Sequence, residues 1–152
     1  MATEPIGITI GLNELKFIHF ESTTRLNEMK NSLPNDGYEF QFDMQSDINE
    51  KEKLFSIRLS TTLYEKQSDV TKVELAKMKS LISFRIINFE DVIKKENNQI
   101  AIPDQLIIFA SGIAISTARG MFAMCVKDTV VINAMIPILD PQIFLPKKPT
   151  PK

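Results

Sequence analysis

His19 and Glu21 have the chemistry of a general base and its orienting partner. They lie two residues apart, so an extended backbone turns both side chains the same way. A working base also needs a nucleophile or activated water within reach. The only thiol, Cys125, sits inside an apolar run, where burial opposes the thiolate, and it reads as packing. As the single cysteine it cannot close an internal disulfide. No C-x-x-C, H-E-x-x-H, G-x-G-x-x-G or Walker pattern occurs. The charged residues at 47–53 and 65–74 fall in polar turns and read as solvated, not as metal ligands. These residues predict no catalytic centre, no metal and no cofactor, with His19 a surface or structural histidine.

The chain's chemistry then lies in its apolar surface, most of it in one segment from Pro103 to about Val126. Its only charges are Asp104 near the start and Arg119 late on. Proline has no N–H to waste at a helix start, and an early carboxylate suits the positive end of the dipole, so a helix opens here. Ala110, Ala114 and Ala118 recur every four residues, and Gly112, Ser116 and Gly120 do the same one strip round. On a helix these form two adjacent ribbons without bulk, which let another backbone approach closely. A helix apolar nearly all round must be buried nearly all round. It is a core helix, or an assembly helix completed by a partner subunit. A membrane span of about 20 residues would fit the length. Arg119, Ser111, Ser116 and Thr117 oppose that, because an arginine within the window is costly in hydrocarbon. No membrane insertion is expected.

The elements before it are strands. Ile6, Ile8, Ile10 and Leu12 alternate until the phase breaks at Asn13–Glu14, predicting a bulged strand over 6–21. Residues 22–37 are polar, carry Asn35–Asp36–Gly37, and read mainly as loop with room for a helical turn. Tyr38–Ile48 and Phe55–Leu63 alternate cleanly and are joined by a short charged turn, which predicts an antiparallel hairpin. Residues 70–89 hold a fourth strand whose phase break predicts a bulge near Lys77–Ser80. The expected fold is α+β: a four-stranded antiparallel meander, then a long apolar helix on one face and a short C-terminal helix at Pro141–Leu145. Residues 1–145 form one domain, and 146–152 a disordered Pro/Lys tail. A formal charge of −1 gives no basic footprint, so nucleic acid is not an expected partner. The start M-A-T-E-P-I-G lacks the basic and apolar regions of a signal peptide, so a cytoplasmic location is expected.

Three stretches, in order, resemble those of a known family. They are Ile18–His19–Phe20–Glu21 ending the first strand, I-A-I-S-T-A-R-G-M-F at 113–122, and I-P-I-L-D-P-Q-I-F at 136–144. Together with the order of elements over residues 6–145, they resemble the SecB family of export chaperones and its SecB-like relatives. That resemblance implies a holdase with no catalysis, binding unfolded polypeptides in apolar grooves and assembling as a dimer of dimers around the long helices. It also implies a partner-docking acidic residue at Glu21, for a translocation ATPase. Two further acidic positions of the family's docking surface fall at or near Phe17 and Lys77 in this sequence, one apolar and one basic. A SecB-like protein guarding an antitoxin is the variant this leaves open.

Phe89, Val92, Ile93, Ile100, Ile102, Ile143, Phe144 and Leu145 are apolar residues outside the best strand and helix patterns, and they would border a client groove or close the core. Ala110, Gly112, Ala114, Ser116, Ala118, Arg119 and Gly120 would form the oligomer interface, with Arg119 needing an acceptor there. The alternative function is an oligomeric scaffold that binds one folded partner.

Overall fold

The computed structural model describes residues 7–96 and 99–146. Ile6, and the Pro/Lys tail beyond Pro146, lie outside the described residues. Four long strands, β1 (Ile10–Ser22), β2 (Tyr38–Asn49), β3 (Leu54–Lys66) and β4 (Lys72–Ile86), form one antiparallel sheet in the order β1-β4-β3-β2. The meander thus holds for β2, β3 and β4, while β1 pairs with β4 instead of β2. The connection over residues 23–37 makes this possible. Its short helix α1 (Thr24–Glu28) buries Leu26, and Thr23 N–H donates to Leu75 O at 2.9 Å, so the chain crosses the end of the sheet.

Side chains alternate along each strand, so one face of β3 and β4 is core and the other carries charge. Phe55, Ile57, Leu59 and Leu63 of β3 are buried beside Ala76, Met78, Ile82, Phe84 and Ile86 of β4. The expected bulge in β1 is there: the register with β4 skips Asn13, and it skips Ile18 as well. The β4 bulge is displaced from its expected place. The β3 register skips Leu75, not a residue at 77–80. That one extra residue lets Leu75 and Ala76, adjacent in sequence, both be fully buried.

The connector after β4 contains α2 (Phe89–Val92) and a small hairpin of β5 (Lys94–Glu96) with β6 (Gln99–Ala101). The long helix α3 runs Asp104–Val126, opening at Pro103, whose carbonyl accepts from Leu106 and Ile107 N–H. It lies on the apolar face of the sheet. Its first half packs with Phe55, Ile57, Ile82 and Phe84, and its second half with Leu59, Leu63 and Met78. Thr129 Oγ1 donates to Val126 O at 2.8 Å and closes the end. The chain then returns alongside α3 to a single 3-10 turn at Pro141–Phe144, where Asp140 accepts from Gln142 N–H at 3.0 Å. The expected second helix is this one turn.

Arg25 fixes the crossing connection to β3. Its Nε and Nη2 each donate to a Glu65 carboxylate oxygen at 2.9 Å, and the Glu65 side chain is only 8% exposed. The hydrogen bond from Arg25, ahead of its charge, holds the Glu65 carboxyl below its ordinary range against the opposing effect of burial. A depressed native value means stability that is complete above the unfolded value near 4.5 and lost as pH falls through the native one. Glu65→Gln is therefore expected to lower the unfolding midpoint at pH 7 and to flatten its fall below about pH 4.5. Thermal melts from about pH 3 to about pH 7 read both effects. A parallel decline in the two proteins would show that this pair plays no part in acid unfolding.

Candidate functional site

The two small-residue ribbons of α3 have separate destinations. Ala110, Ala114 and Ala118 are 0%, 1% and 0% exposed and sit on the protomer's own sheet. Their expected place at an interface between copies is taken, because an alanine strip is what brings the helix down onto β3 and β4. The other ribbon faces outward. A Cβ built on Gly112 would meet Pro141 Cγ at 3.4 Å, so the C-terminal turn covers that position, while Gly120 has open space around it. Ser116 is exposed beside it. Arg119 is half-buried on the flank of this face, and among the described residues it forms no salt bridge.

This outward face adjoins an uncovered part of β1. Ile8 and Ile10 line a cleft of about 560 Å³ with Gln105, Leu106 and Phe109 at the start of α3. At the other end the Phe20 ring meets Phe122 edge-on at 6.2 Å. Between those two contacts the helix-side face of β1 is left partly uncovered. Leu12 (61% exposed), Leu15 (46%) and Phe17 (44%) lie along the strand there, and Phe109 (55%) stands on the helix. The bulge at Ile18 is what shifts the strand, so that Phe17 pairs with Ser80 on the helix side and His19 with Lys79 on the other. Runs of exposed large apolar residues of this kind are unusual on a surface that stays in water.

A second apolar region lies at the opposite edge of the sheet. β2 pairs with β3 without a break from Tyr38 to Asn49, and its other side is a sheet edge. The returning chain runs beside it. Asn35, Tyr38, Phe40, Ala134, Met135 and Pro137 line a cleft of about 440 Å³ between the two. Val131, Ala134 and Ile136 of that chain are buried, while Ile132, Met135 and Ile138 are 54%, 67% and 84% exposed. Periodicity could not find this cleft, because residues 130–139 carry no helix or strand pattern and are placed by packing alone.

The groove residues expected from sequence are divided by the fold. Phe89, Val92 and Ile93 are 5%, 5% and 6% exposed and close the core under the first half of α3. Ile100, Ile102 and Leu145 are partly buried against that same cluster, and Phe144 against the other. Ile143 is 61% exposed. The first three have no free surface, so a groove built on this set reduces to Ile143 and the rims of Ile100, Ile102, Phe144 and Leu145.

Groups with reactive chemistry are dispersed. His19 Nε2 lies 3.2 Å from Glu21 Oε2, both side chains about half exposed on the outer face of the sheet. Glu21 stands opposite Lys77 in the register. Burial pushes the Cys125 thiol above its usual range, which lowers its reactivity. Among the described residues no three His, Cys, Asp or Glu side chains converge as a metal-binding group. α3 is long and apolar enough to cross a membrane by length and composition, and 39% of its most apolar window is buried within this fold.

No protein-family model matches the chain, and no curated protein matches it in sequence. Solved structures do match in shape. One is the SecB-like chaperone Rv1957 of Mycobacterium tuberculosis, in complex with a ChAD peptide from the Rv1956 HigA1 antitoxin. It superposes with a TM-score of 0.58 at 12% identity, over 86% of this chain and 87% of its own. A protein of unknown function from Streptococcus agalactiae aligns at a TM-score of 0.35 and 10% identity, over 88% of this chain and 98% of its own. A four-stranded antiparallel sheet with one long helix across its apolar face is, in this chain, the SecB-like fold.

Proposed function

We propose that the protein is a SecB-like chaperone that holds extended, non-native segments of other polypeptides. The observation that carries this is the open β2 edge beside an apolar cleft of about 440 Å³. An edge strand presents unpaired N–H and C=O groups to any extended chain, whatever its sequence. The cleft beside it and the exposed Ile132, Met135 and Ile138 take apolar side chains, and a methionine adapts to varied shapes. Main-chain pairing gives breadth, and side-chain burial gives preference for unfolded over folded chains. The similar structure from Mycobacterium tuberculosis holds an antitoxin peptide, which supports polypeptide as the ligand class. A dedicated client of that kind, or a range of clients, would use the same edge.

The second apolar surface, on β1 and α3, belongs in this proposal to self-association. Copies would bury Leu12, Leu15, Phe17 and Phe109, with Gly120 and Ser116 allowing close approach of helices.

Holding is tested by mixing the protein at stoichiometric concentration with several unrelated denatured polypeptides and following light scattering. Suppression of aggregation for at least some of them is expected, and Met135→Asp should weaken it by roughly tenfold in the concentration required. Failure on every polypeptide would exclude a general holdase.

A further inference from the structure

We infer that the outer face of the sheet carries a second binding site, a basic cleft that takes a short acidic segment of an extended partner polypeptide. It lies across the sheet from α3 and shares no residue with the β2-edge cleft. The register lays this face out as a grid. Lys77 stands between Glu21 and Thr62, Lys79 between His19 and Ser60, and Arg58 between Gln45 and Leu81. A cleft of about 260 Å³ is lined there by Ile18, Asp43, Gln45, Arg58, Lys77 and Lys79. Three cations thus face one carboxylate, in a chain whose formal charge is −1.

Glu21 is the cross-strand neighbour of Lys77 and Asp43 lines the cleft, but neither closes an ion pair with these cations. Elsewhere Lys72 pairs with Glu39, Lys53 with Glu90 and Arg25 with Glu65, but among the described residues Arg58, Lys77 and Lys79 form no salt bridge. They project from β3 and β4, the two central strands, where hydrogen bonding on both sides fixes the backbone. Arg58 and Lys79 are exposed and Lys77 is half-buried, with the short Ser60 and Thr62 beside them. Cations held on a fixed backbone without an ion-pair partner attract anions with little reorganisation.

The cleft's shape selects among anions. Lys77 and Lys79 are two residues apart on one strand, roughly 7 Å, which equals the spacing of alternate side chains on an extended polypeptide. Ile18, turned to this face by the β1 bulge and 45% exposed, supplies an apolar wall beside the cations. An aliphatic side chain of a peptide uses that wall, and a phosphate backbone does not. Glu14 and Glu21 on β1 and Asp43 and Asp47 on β2 bound the basic area, so a long polyanion would have to cross carboxylates on leaving it. Two or three acidic residues around one aliphatic residue fit within these limits.

The test uses the full chain and a fluorescein-labelled peptide of about ten residues, alternating glutamate and serine around a central leucine, read by anisotropy. Binding is expected to weaken at least tenfold in Lys77→Glu/Lys79→Glu and on raising NaCl from about 50 to about 300 mM. Met135→Asp, at the β2-edge cleft, should weaken it less than the double charge variant does. A loss that follows Met135→Asp alone would assign the peptide to the β2 edge and overturn the proposal, so failure here and failure of the holdase proposal are told apart. If the double variant loses its fold, Lys79→Gln alone should weaken binding about threefold. No binding by the native protein, or equal binding by folded charge variants, overturns the proposal. So does equal or tighter binding of an oligothymidylate of the same charge, which would make the face a general polyanion surface.

Discussion

Replacing Phe122 by alanine is expected to destabilise the protein by about 3–5 kcal/mol, the range for removing a buried aromatic ring. Phe122 is 1% exposed near the end of α3. Its ring meets Phe20 of β1 edge-on at 6.2 Å and 72°, and Phe40 of β2 at 5.4 Å and 79°. Such arrangements add about 0.5–1.5 kcal/mol beyond the area they bury. The decisive point is topological. β1 and β2 are the two outer strands, so one ring joins both edges of the sheet to the helix. Its loss leaves a cavity that neither strand alone can refill. In a chain of this size the unfolding midpoint should fall by roughly 8–15 °C. Phe122→Leu keeps most of the volume and should recover more than half of the loss. A change below about 1 kcal/mol in urea unfolding would show that the edges are held independently of this ring.

Charge on the exposed row of β1 should have the second large effect. Leu15→Glu/Phe17→Glu is expected to convert an assembled protein into protomers at micromolar concentration, by native mass spectrometry. Both residues are close to half exposed in the protomer, so the fold itself should tolerate the change. Buried in an interface, each carboxylate would lack a partner, and several kcal/mol per site would oppose association. Arg119→Ala should weaken assembly more modestly, because Arg119 is half-buried without a salt bridge among the described residues and would find its acceptor on another copy. A native protein that is already a monomer at that concentration, or an assembly unchanged by the double substitution, would remove the interface from β1 and α3.

The two surfaces assign opposite tasks to similar residues. Met135 and Phe17 are both exposed apolar side chains. Beside the open β2 edge such a residue can serve any extended chain, since the backbone supplies the pairing groups. On β1 the bulges at Asn13 and Ile18 break the regular ladder, which disfavours strand addition and leaves side-chain packing as the mode of contact. The bulged edge suits a fixed partner, another copy, and the regular edge suits a variable one.

By itself, the sequence determined the local elements of this protein. Period-two alternation placed β2 and β3, because a half-buried strand must alternate. Pro103 and Asp104 placed the start of α3 to within one residue, Pro103 being its extended N-cap, because a helix opens with N–H groups that lack partners. The phase break at Asn13–Glu14 announced a bulge that exists. What tertiary structure alone decided was which surface each element turns inward. Ala110, Ala114 and Ala118 could serve an interface or a core equally well, and only the position of the sheet made them core. Phe89, Val92 and Ile93 look like groove residues until α3 is laid over them. The pairing of β1 with β4 depends on where a polar connection crosses, and the cleft at β2 depends on where residues 131–139 come to rest. Periodicity is a property of neighbours along the chain. Burial of one apolar residue rather than its twin is a property of distant segments that happen to meet.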